Sequence, residues 1–284
     1  MSDPNPLRRN FMELARAQWQ REKFVCVGLD TDWAKIPAGR RYAQKDDAIA
    51  IFNEHIIDQT GDVAGAYKLN LAFYLMHGEA GITALRRTIL YIRKRFPVVP
   101  VILDAKFGDI GNTSEAYLAF ALAMSADAVT LNPYLGQEAI APFLKDKDLG
   151  CVILCRTSNE GGNEFQDLPA QGWGLQIYKH VAFHVANTER WKWNKNGNCM
   201  LVVGATCPDE LQAIRKIAPD TPLLIPGVGA QGGELEKIVP HAMDSTGGGF
   251  LINSSRGITF AADPLTEALT LHASINALRK AARP

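Results

Sequence analysis

Asp104, Lys106 and Asp109 form the pattern DxKxxD at the end of an apolar run, Val98–Asp104. Residues two apart in an extended strand point to the same side, so Asp104 and Lys106 are predicted to enter the same space. A lysine ammonium beside carboxylates stays charged. It can donate a proton or stabilise negative charge that develops on a carbon atom. The pattern therefore predicts acid catalysis, although a structural salt-bridge cluster would use the same residues.

Two further charged residues follow other apolar runs. Asp30 comes directly after the first predicted strand, and Lys68 lies at the end of the second. If all the strands end at one face, Asp30, Lys68 and the DxKxxD residues form an array of alternating charge. Mutual neutralisation would keep every member ionised.

A glycine-rich segment predicts a phosphate site. Gly227, Gly229 and Gly232 fit GxGxxG after a strand, which superficially matches the dinucleotide fingerprint. That interpretation fails because the segment follows a late strand and no acidic residue ends a strand about 20 residues on. Backbone N–H groups of this loop, with Gln231 and Arg256, are instead predicted to bind phosphate. The alternative is that the glycines form tight turns and Arg256 is a surface residue.

The elements that would position these residues are short apolar strands alternating with helical patterns. Strands buried on both faces are typical of parallel sheets, and eight of them with helices between predict a (β/α)8 TIM barrel. A doubly wound open sheet is the alternative. The predicted strands are Phe24–Leu29, Val63–Leu69, Val98–Asp104, Ala128–Asn132, Cys151–Cys155, Met200–Gly204, Pro222–Pro226 and Gly249–Asn253.

Two segments depart from a regular alternation of strand and helix. Phe11, Leu14 and Trp19 lie on one face of a predicted N-terminal packing helix. The stretch from Arg156 to Asn198 is too long for one crossover, so an extended region with a helix near Leu175–Asn187 is expected after strand 5. Nothing in the composition marks a domain boundary, and residues 1–284 are predicted to form a single domain.

Composition and charge exclude several classes of function. The chain has 30 Lys+Arg and 30 Asp+Glu, a net charge of +0, so neither nucleic acid nor an anionic membrane is an expected partner. Trp191 and Trp193 alternate with Lys192 and Lys195, but this short tract is predicted to pack its own hydrophobic side chains. No apolar run approaches the length of about 18 residues needed to span a bilayer.

The cysteines point to a reducing compartment. There are five of them, with no CxxC and no metal-like pairing with histidine, so no metal site is expected. Cys151 and Cys155 share one face of a predicted strand and are expected to be buried thiols. Free thiols of this kind favour the cytoplasm.

Several segments together resemble one enzyme family. LDAKFGDIGNT (103–113) is similar to the signature of orotidine 5′-phosphate decarboxylase, and IPGVGAQGG (225–233) is similar to that family's phosphate loop. AYKLN and NSSRGI lie where its other elements are expected, so the resemblance runs from about Val25 to Ile258. LCRTSN and the longer region after strand 5 resemble the bacterial second subgroup.

The resemblance implies a carboxy-lyase of de novo pyrimidine biosynthesis. The expected reaction converts orotidine 5′-phosphate to UMP and CO2 without a cofactor or a metal. The family resemblance also implies a homodimer with shared active sites. In that dimer Asp109 would reach the active site of the partner subunit, and Thr113 would cross the interface to the neighbour's ribose.

The resemblance also implies roles for the charged array. Lys106 would protonate C6 of the pyrimidine as CO2 leaves, and Asp104 would lie near the substrate carboxylate. Asp30 and Lys68 would hold the ribose hydroxyls, and Lys68 would also belong to the catalytic array.

The remaining implied roles concern the base and the phosphate. Ser158 would contact the pyrimidine ring, with Asn159 as a nearby competitor. Pro226 would begin a mobile phosphate loop, and Gln231 and Arg256 would bind the 5′-phosphate.

Two other functions remain open from the residues alone. The same barrel could carry a Mg-dependent decarboxylase or aldolase of a sugar phosphate, in which DxKxxD would partly bind metal. The chain could also be a non-catalytic sensor of nucleotide phosphates. A sensor would need the phosphate site but not a proton donor such as Lys106, so the complete charged array argues against it.

Overall fold

A computed structural model describes residues 8–37, 44–170, 172, 174–187, 189, 193–228 and 233–282. Its centre is a closed barrel of eight parallel strands in sequence order, in which β1 pairs with β8. The strands are β1 Val25–Gly28, β2 Ala64–Asn70, β3 Val101–Phe107, β4 Ala128–Leu131, β5 Gly150–Arg156, β6 Cys199–Val203, β7 Leu223–Pro226 and β8 Phe250–Ser254. The predicted TIM barrel is confirmed, and the closure by β1 and β8 rules out the open-sheet alternative.

Helices cover the outside of the barrel. They are α1 Phe11–Gln20, α2 Lys45–Thr60, α3 Leu71–Leu75, α4 Gly78–Arg95, α5 Gly111–Ala123, α6 Gln137–Lys145, α7 Asn163–Gln166, α8 Ile177–Ala186, α9 Pro208–Ile217, α10 Gly233–Ala242, α11 Arg256–Thr259 and α12 Pro264–Ala282. No helix in the described ranges is both long and apolar enough to cross a bilayer.

The strands are mostly apolar because both of their faces are buried. Val25 and Val27 belong to the core between strands and helices, whereas Cys26, between them, belongs to a second core inside the barrel. Side chains that alternate in direction along each strand fill both cores. Cys151 and Cys155 are buried, as predicted, and all five cysteines are free and buried.

Helix α1 closes the base of the barrel, the end where the strands begin. Phe11, Met12 and Ala15 pack against the core inside the barrel, and Trp19 lies partly buried against it. The predicted N-terminal packing helix is confirmed, with one correction to its buried face. Leu14 is only half-buried and belongs to neither core, because the helix turns Met12 and Ala15 towards the strands instead.

A group of buried ion pairs stabilises the base beside α1. Asp127, with a side chain only 1% exposed, accepts hydrogen bonds from Arg9 Nε and Arg93 Nη1, both at 2.9 Å. Its second carboxylate oxygen accepts the backbone N–H of Val101 at 2.8 Å and a further bond from Arg9. This base cluster joins the residues just before α1 and β4 to α4 and β3.

The region after β5 is extended, as predicted. It contains α7 and α8, and α8 coincides closely with the helix expected near residues 175–187. Trp193 is buried at 4% exposure, which confirms that this part of the tract packs inwards. Trp191 and Lys192 lie outside the described residues.

Candidate active site

A cavity of about 980 Å³ opens at the end of the barrel where the strands finish. Its size lies in the range of small-molecule sites, and the carboxyl ends of the strands are where barrel enzymes place their chemistry. Many of the residues predicted from sequence line it, among them Asp30, Lys68, Asp104, Lys106, Ser158, Pro226 and Arg256.

The predicted charged array is assembled on three neighbouring strands. Lys68 Nζ donates to Asp104 Oδ2 at 2.9 Å and to Asp30 Oδ1 at 3.3 Å. Lys106 Nζ donates to Asp104 Oδ1 at 2.7 Å. Asp104 therefore lies between two ammonium groups, and Lys68 lies between two carboxylates.

Mutual neutralisation keeps these groups charged. Burial alone would raise the pKa of the Asp104 carboxyl, but Lys68 and Lys106 lower that pKa to about 2. Burial would likewise lower the pKa of Lys68, but the neighbouring carboxylates of Asp104 and Asp30 raise that pKa above its ordinary value of 10.5. Asp104 is thus an anion and Lys68 a cation near neutral pH.

The two lysines differ sharply in access to the cavity. The Lys68 side chain is 5% exposed, whereas that of Lys106 is 47% exposed. Lys106 Nζ makes one ion pair, to Asp104, which leaves other hydrogens of its ammonium for a molecule in the cavity. Of the two lysines, Lys106 is therefore the one whose ammonium is accessible from the cavity.

A bulge in β3 gives the array its geometry. In the register with β4, Leu103 pairs with Val129 and Phe107 with Leu131, so residues 104–106 lie opposite Thr130 alone. The strand was predicted to end at Asp104, but it continues to Phe107 through this bulge. Asp104 and Lys106 do face the same space, as predicted, yet through a distorted strand and not through regular alternation.

The backbone of Lys106 is strained. Its φ is +54°, and the other described non-glycine residues with positive φ, Glu22 and Ser125, follow the ends of helices, where this conformation is common. A non-glycine residue in the left-handed region costs on the order of 1–3 kcal/mol. Surrounding contacts must hold Lys106 there, and its backbone N–H donates to Thr130 Oγ1 at 2.8 Å.

The predicted phosphate side of the cavity is partly described. Pro226 ends β7 beside Asn253 of β8, and Gly227 has a φ of +94°, which favours glycine. Arg256 begins α11 and is exposed to the cavity. Gln231, together with Gly229 and Gly232, lies outside the described residues.

The segment after β5 brings both pyrimidine candidates to the cavity. Ser158 and Asn159 each line it, so the choice between them stays open. Ser158 packs so closely on Gly204 that a Cβ atom there would lie 2.6 Å from the Ser158 Cβ. Gln166 supports the segment, since its side chain accepts the Thr157 N–H and donates to Thr157 Oγ1, both at 2.8 Å.

Asp109 and Thr113 are not brought into this cavity. Asp109 lies after β3 and accepts the backbone N–H of Ile110 at 2.8 Å, and Thr113 is exposed in the first turn of α5. Neither residue lines the site of its own chain. Their assignment to a partner's site stays a prediction.

The sequence interpretation missed several cavity residues, among them the polar residues Asn70, Thr130 and Gln166. Asn70 follows Lys68 by two positions on β2, so the alternation of a strand could have revealed it. Thr130 lies inside an apolar run, where a β-branched residue signals only a strand. Gln166 lies in the extended region after β5, where no hydrophobic periodicity indicates the direction of its side chain.

The described residues contain no group of three or more His, Cys, Asp or Glu side chains that could hold a metal ion. What they do contain is a closed (β/α)8 barrel with a charged array at its mouth. This combination is typical of (β/α)8 barrel enzymes, whose active sites lie at the carboxyl ends of the strands. Comparison with known proteins then gives the family.

Residues 23–271 match the Orotidine 5′-phosphate decarboxylase / HUMPS family, and the chain belongs to that family. An orotidine 5′-phosphate decarboxylase of Janthinobacterium sp. is 46% identical over 254 residues, 88% of this chain and 90% of that protein. The corresponding protein of Cellvibrio japonicus is 43% identical over 256 residues, 89% and 91% of the two chains. The family resemblance inferred from sequence is confirmed.

Solved structures agree in fold. The structure of Leishmania donovani OMP decarboxylase superposes with a TM-score of 0.83 at 35% identity, covering 95% of this chain and 99% of that chain. The overall fold is therefore shared with an enzyme of this name.

Proposed function

We propose that this protein is a carboxy-lyase that converts orotidine 5′-phosphate to UMP and CO2 in de novo pyrimidine biosynthesis. The observation that carries the proposal is the exposed Lys106 ammonium held on Asp104 at the mouth of the barrel. Relatives at 43% and 46% identity carry the name of this activity.

The proposed chemistry uses only groups of the array. The bond between C6 and the carboxylate carbon breaks, its electron pair stays on C6, and Lys106 transfers a proton to C6 as CO2 leaves. The neutral amine then regains its proton from water. A fixed cation beside the carbon stabilises the negative charge that develops there, so the reaction needs no cofactor as an electron sink.

The ribose, pyrimidine and phosphate of the substrate are proposed to bind in different parts of the cavity. Asp30 and Lys68 would bind the ribose hydroxyls at the buried side of the array. Ser158 or Asn159 would contact the pyrimidine.

The 5′-phosphate would lie at the other end of the cavity. Pro226 and Gly227 turn the chain into the segment that contains Gln231, while Arg256 supplies a guanidinium suited to phosphate. The free energy of binding the phosphate, far from C6, would be used to exclude water from the reacting carbon.

We further propose a homodimer with shared active sites. Asp109 and Thr113 lie outside their own cavity. Exposed apolar side chains follow β3 and the neighbouring strand β4: Ile110 is 57% exposed, Tyr134 76% and Leu135 51%. Exposed apolar surface that is contiguous marks an interaction site. A second copy seated there would cover it and would bring Asp109 to the neighbouring site.

Subunit mixing tests the shared sites. Lys106→Ala and Asp109→Ala homodimers should each be inactive. A mixed dimer would contain one site with both substitutions and one site with neither, so activity should reappear on mixing. Failure to recover activity in a demonstrated mixed dimer would contradict the sharing of sites.

The proposed compartment is the cytoplasm. Five free, buried thiols support a reducing environment. Alkylation of the protein in freshly opened cells under denaturing conditions should label all five cysteines as free thiols. Disulfide-linked species would count against this location.

The reaction itself is tested by following the ultraviolet absorbance of orotidine 5′-phosphate with and without EDTA, beside Lys106→Ala. Conversion to UMP should resist the chelator and vanish in the variant. Tight UMP binding without turnover would identify a sensor. Neither turnover nor binding, with Mg-dependent activity on a sugar phosphate, would identify the alternative barrel enzyme.

A further inference from the structure

Thr130 occupies a special place beside the array. It lies on β4, is 2% exposed and is the residue opposite the bulge of β3. Its hydroxyl oxygen accepts the backbone N–H of Lys106 at 2.8 Å and donates to Asp104 Oδ1 at 2.9 Å. The same Asp104 oxygen accepts the Lys106 ammonium at 2.7 Å.

These contacts close a ring of hydrogen bonds. The ring runs from the Lys106 backbone to the Thr130 hydroxyl, on to the Asp104 carboxylate, and back through the Lys106 side chain. Both the backbone N–H and the ammonium of Lys106 are therefore held relative to the same atom, Asp104 Oδ1. The position of the ammonium depends on the bulge, and the bulge depends on a hydroxyl from the next strand.

We propose that Thr130 is a positioning residue for proton transfer, which sets the place of the Lys106 ammonium by holding the bulge of β3. This inference rests on the proposed function, in which Lys106 supplies the proton. Thr130 acts through Lys106 and Asp104 and is not assigned a contact with the substrate.

The chemistry of the site requires a hydroxyl at this position. The bulge leaves the Lys106 N–H without a regular partner in the ladder, and the Thr130 hydroxyl supplies the acceptor for this partly buried N–H. The same atom must donate to a carboxylate that already lies between two lysines. A hydroxyl can accept and donate at once. Valine has nearly the same shape and can do neither.

The left-handed backbone of Lys106 supports the same inference. A strained residue persists only where the surroundings determine its conformation. Within the described residues, the Thr130 hydroxyl accepts the hydrogen bond from the Lys106 N–H. Without it, Lys106 would relax towards ordinary strand geometry and carry its ammonium away from Asp104.

Steady-state kinetics with orotidine 5′-phosphate test the role. Thr130→Val should lower kcat by about 10- to 100-fold, the value of a hydrogen bond to a charged group. KM and the affinity for UMP should change by less than about 2-fold, because ground-state binding does not use the hydroxyl. Thr130→Ser keeps the hydroxyl and should restore most of kcat. Thr130→Ala is a second hydroxyl-free variant should valine fail to fold.

Thr60→Val is the matched control. Thr60 is fully buried and its hydroxyl bonds to Ile56 O and to the Tyr67 hydroxyl, both at 2.8 Å, away from the cavity. Its loss should lower stability and leave kcat unchanged. If Thr130→Val kept the wild-type kcat, or if Thr130→Ser were as impaired as Thr130→Val, the positioning role would be wrong.

Amide hydrogen exchange gives a readout that does not depend on activity. In protein labelled with ¹⁵N-lysine, the Lys106 amide should exchange at least about 10-fold faster in Thr130→Val than in the wild type or Thr60→Val, because its acceptor is gone. Unchanged exchange would overturn the inference. A wild type that does not turn over orotidine 5′-phosphate would instead refute the proposed function, while the exchange result would still report on the bulge.

Discussion

The two ends of the barrel each hold a carboxylate between two cations. At the mouth, Asp104 lies between Lys68 and Lys106, and at the base Asp127 lies between Arg9 and Arg93. Each carboxylate also accepts one neutral donor. The donor is the Thr130 hydroxyl for Asp104 and the Val101 backbone N–H for Asp127.

The clusters differ in the cation and in its exposure. Arg9 and Arg93 are 16% and 10% exposed, and a guanidinium does not release a proton in a protein. At the mouth, Lys68 is closed in but Lys106 is 47% exposed to the cavity. A lysine ammonium can give up a proton and regain it.

This contrast shows that charge balance alone does not distinguish a structural cluster from a reactive one. Both clusters compensate a buried carboxylate. The cluster at the mouth adds an accessible, exchangeable proton on a strained backbone. The predictions below test this difference, from the largest expected effect to the smallest.

Lys106→Arg would give the mouth the same cation type as the base. Charge and the ion pair to Asp104 are retained, but the proton donor is lost, so kcat should fall by about 10⁴-fold, the upper range for general acid catalysis. The kcat of Lys106→Ala should fall at least as far. Affinity for UMP, measured by calorimetry, should stay within about 10-fold. An active arginine variant would show that charge alone suffices.

Asp127→Asn breaks the base cluster. Arg9 and Arg93 would lose the buried carboxylate that both of them contact, so the free energy of unfolding should fall by about 3–5 kcal/mol in guanidinium titrations. The kcat of the folded fraction should not change. The control Asp58→Asn removes a surface pair with Arg95 and should cost less than about 1 kcal/mol. Equal costs for the two would contradict the structural role of Asp127.

Acid should destabilise the mouth in a defined range. The pKa of Asp104 is about 2 in the fold, below its ordinary value of 3.8, so the unfolded chain binds the proton more tightly. The stabilisation is present above the ordinary value and is lost as pH falls, between about pH 5 and pH 2, by about 2 kcal/mol. In urea titrations, the difference in stability between wild type and Asp104→Asn should therefore shrink as pH falls through this range. Parallel curves would refute the linkage.

The smallest expected effect is the change in the free energy of unfolding when the exposed Lys106 is replaced. Lys106→Met should change the free energy of unfolding by less than about 1 kcal/mol, because the side chain is half exposed and its ion pair is screened by water. Arg93→Met, at 10% exposure, should cost more. If the order were reversed, the mouth would be the structural cluster.

Most of the barrel could be predicted from sequence because strands buried on both faces leave a continuous apolar signal. The array could be predicted as well, because Asp30, Lys68 and Asp104 stand out as charged residues at the ends of apolar strands that finish at one face of a barrel. Trp193 was also predicted correctly, since a neutral chain gives a short Trp and Lys tract little reason to bind nucleic acid.

The finer geometry could not be predicted in this way. The bulge at 104–106 depends on pairing with β4, and no local pattern in LDAKF reveals it. In the sequence, Thr130 cannot be distinguished from an ordinary β-branched strand residue. Its proposed positioning role can be inferred only from its contacts. Leu14 was placed on the wrong face of α1 because three apolar positions fit more than one helical stripe.

The most direct test of the central claim is hydrogen exchange at C6 of UMP in D2O, followed by the loss of the H6 signal in proton NMR. If Lys106 delivers the proton to C6, then by microscopic reversibility it also removes it, and the wild-type enzyme should exchange H6 for deuterium. Lys106→Arg, with UMP bound at saturating concentration, should not. Exchange at the wild-type rate in that variant would contradict the account.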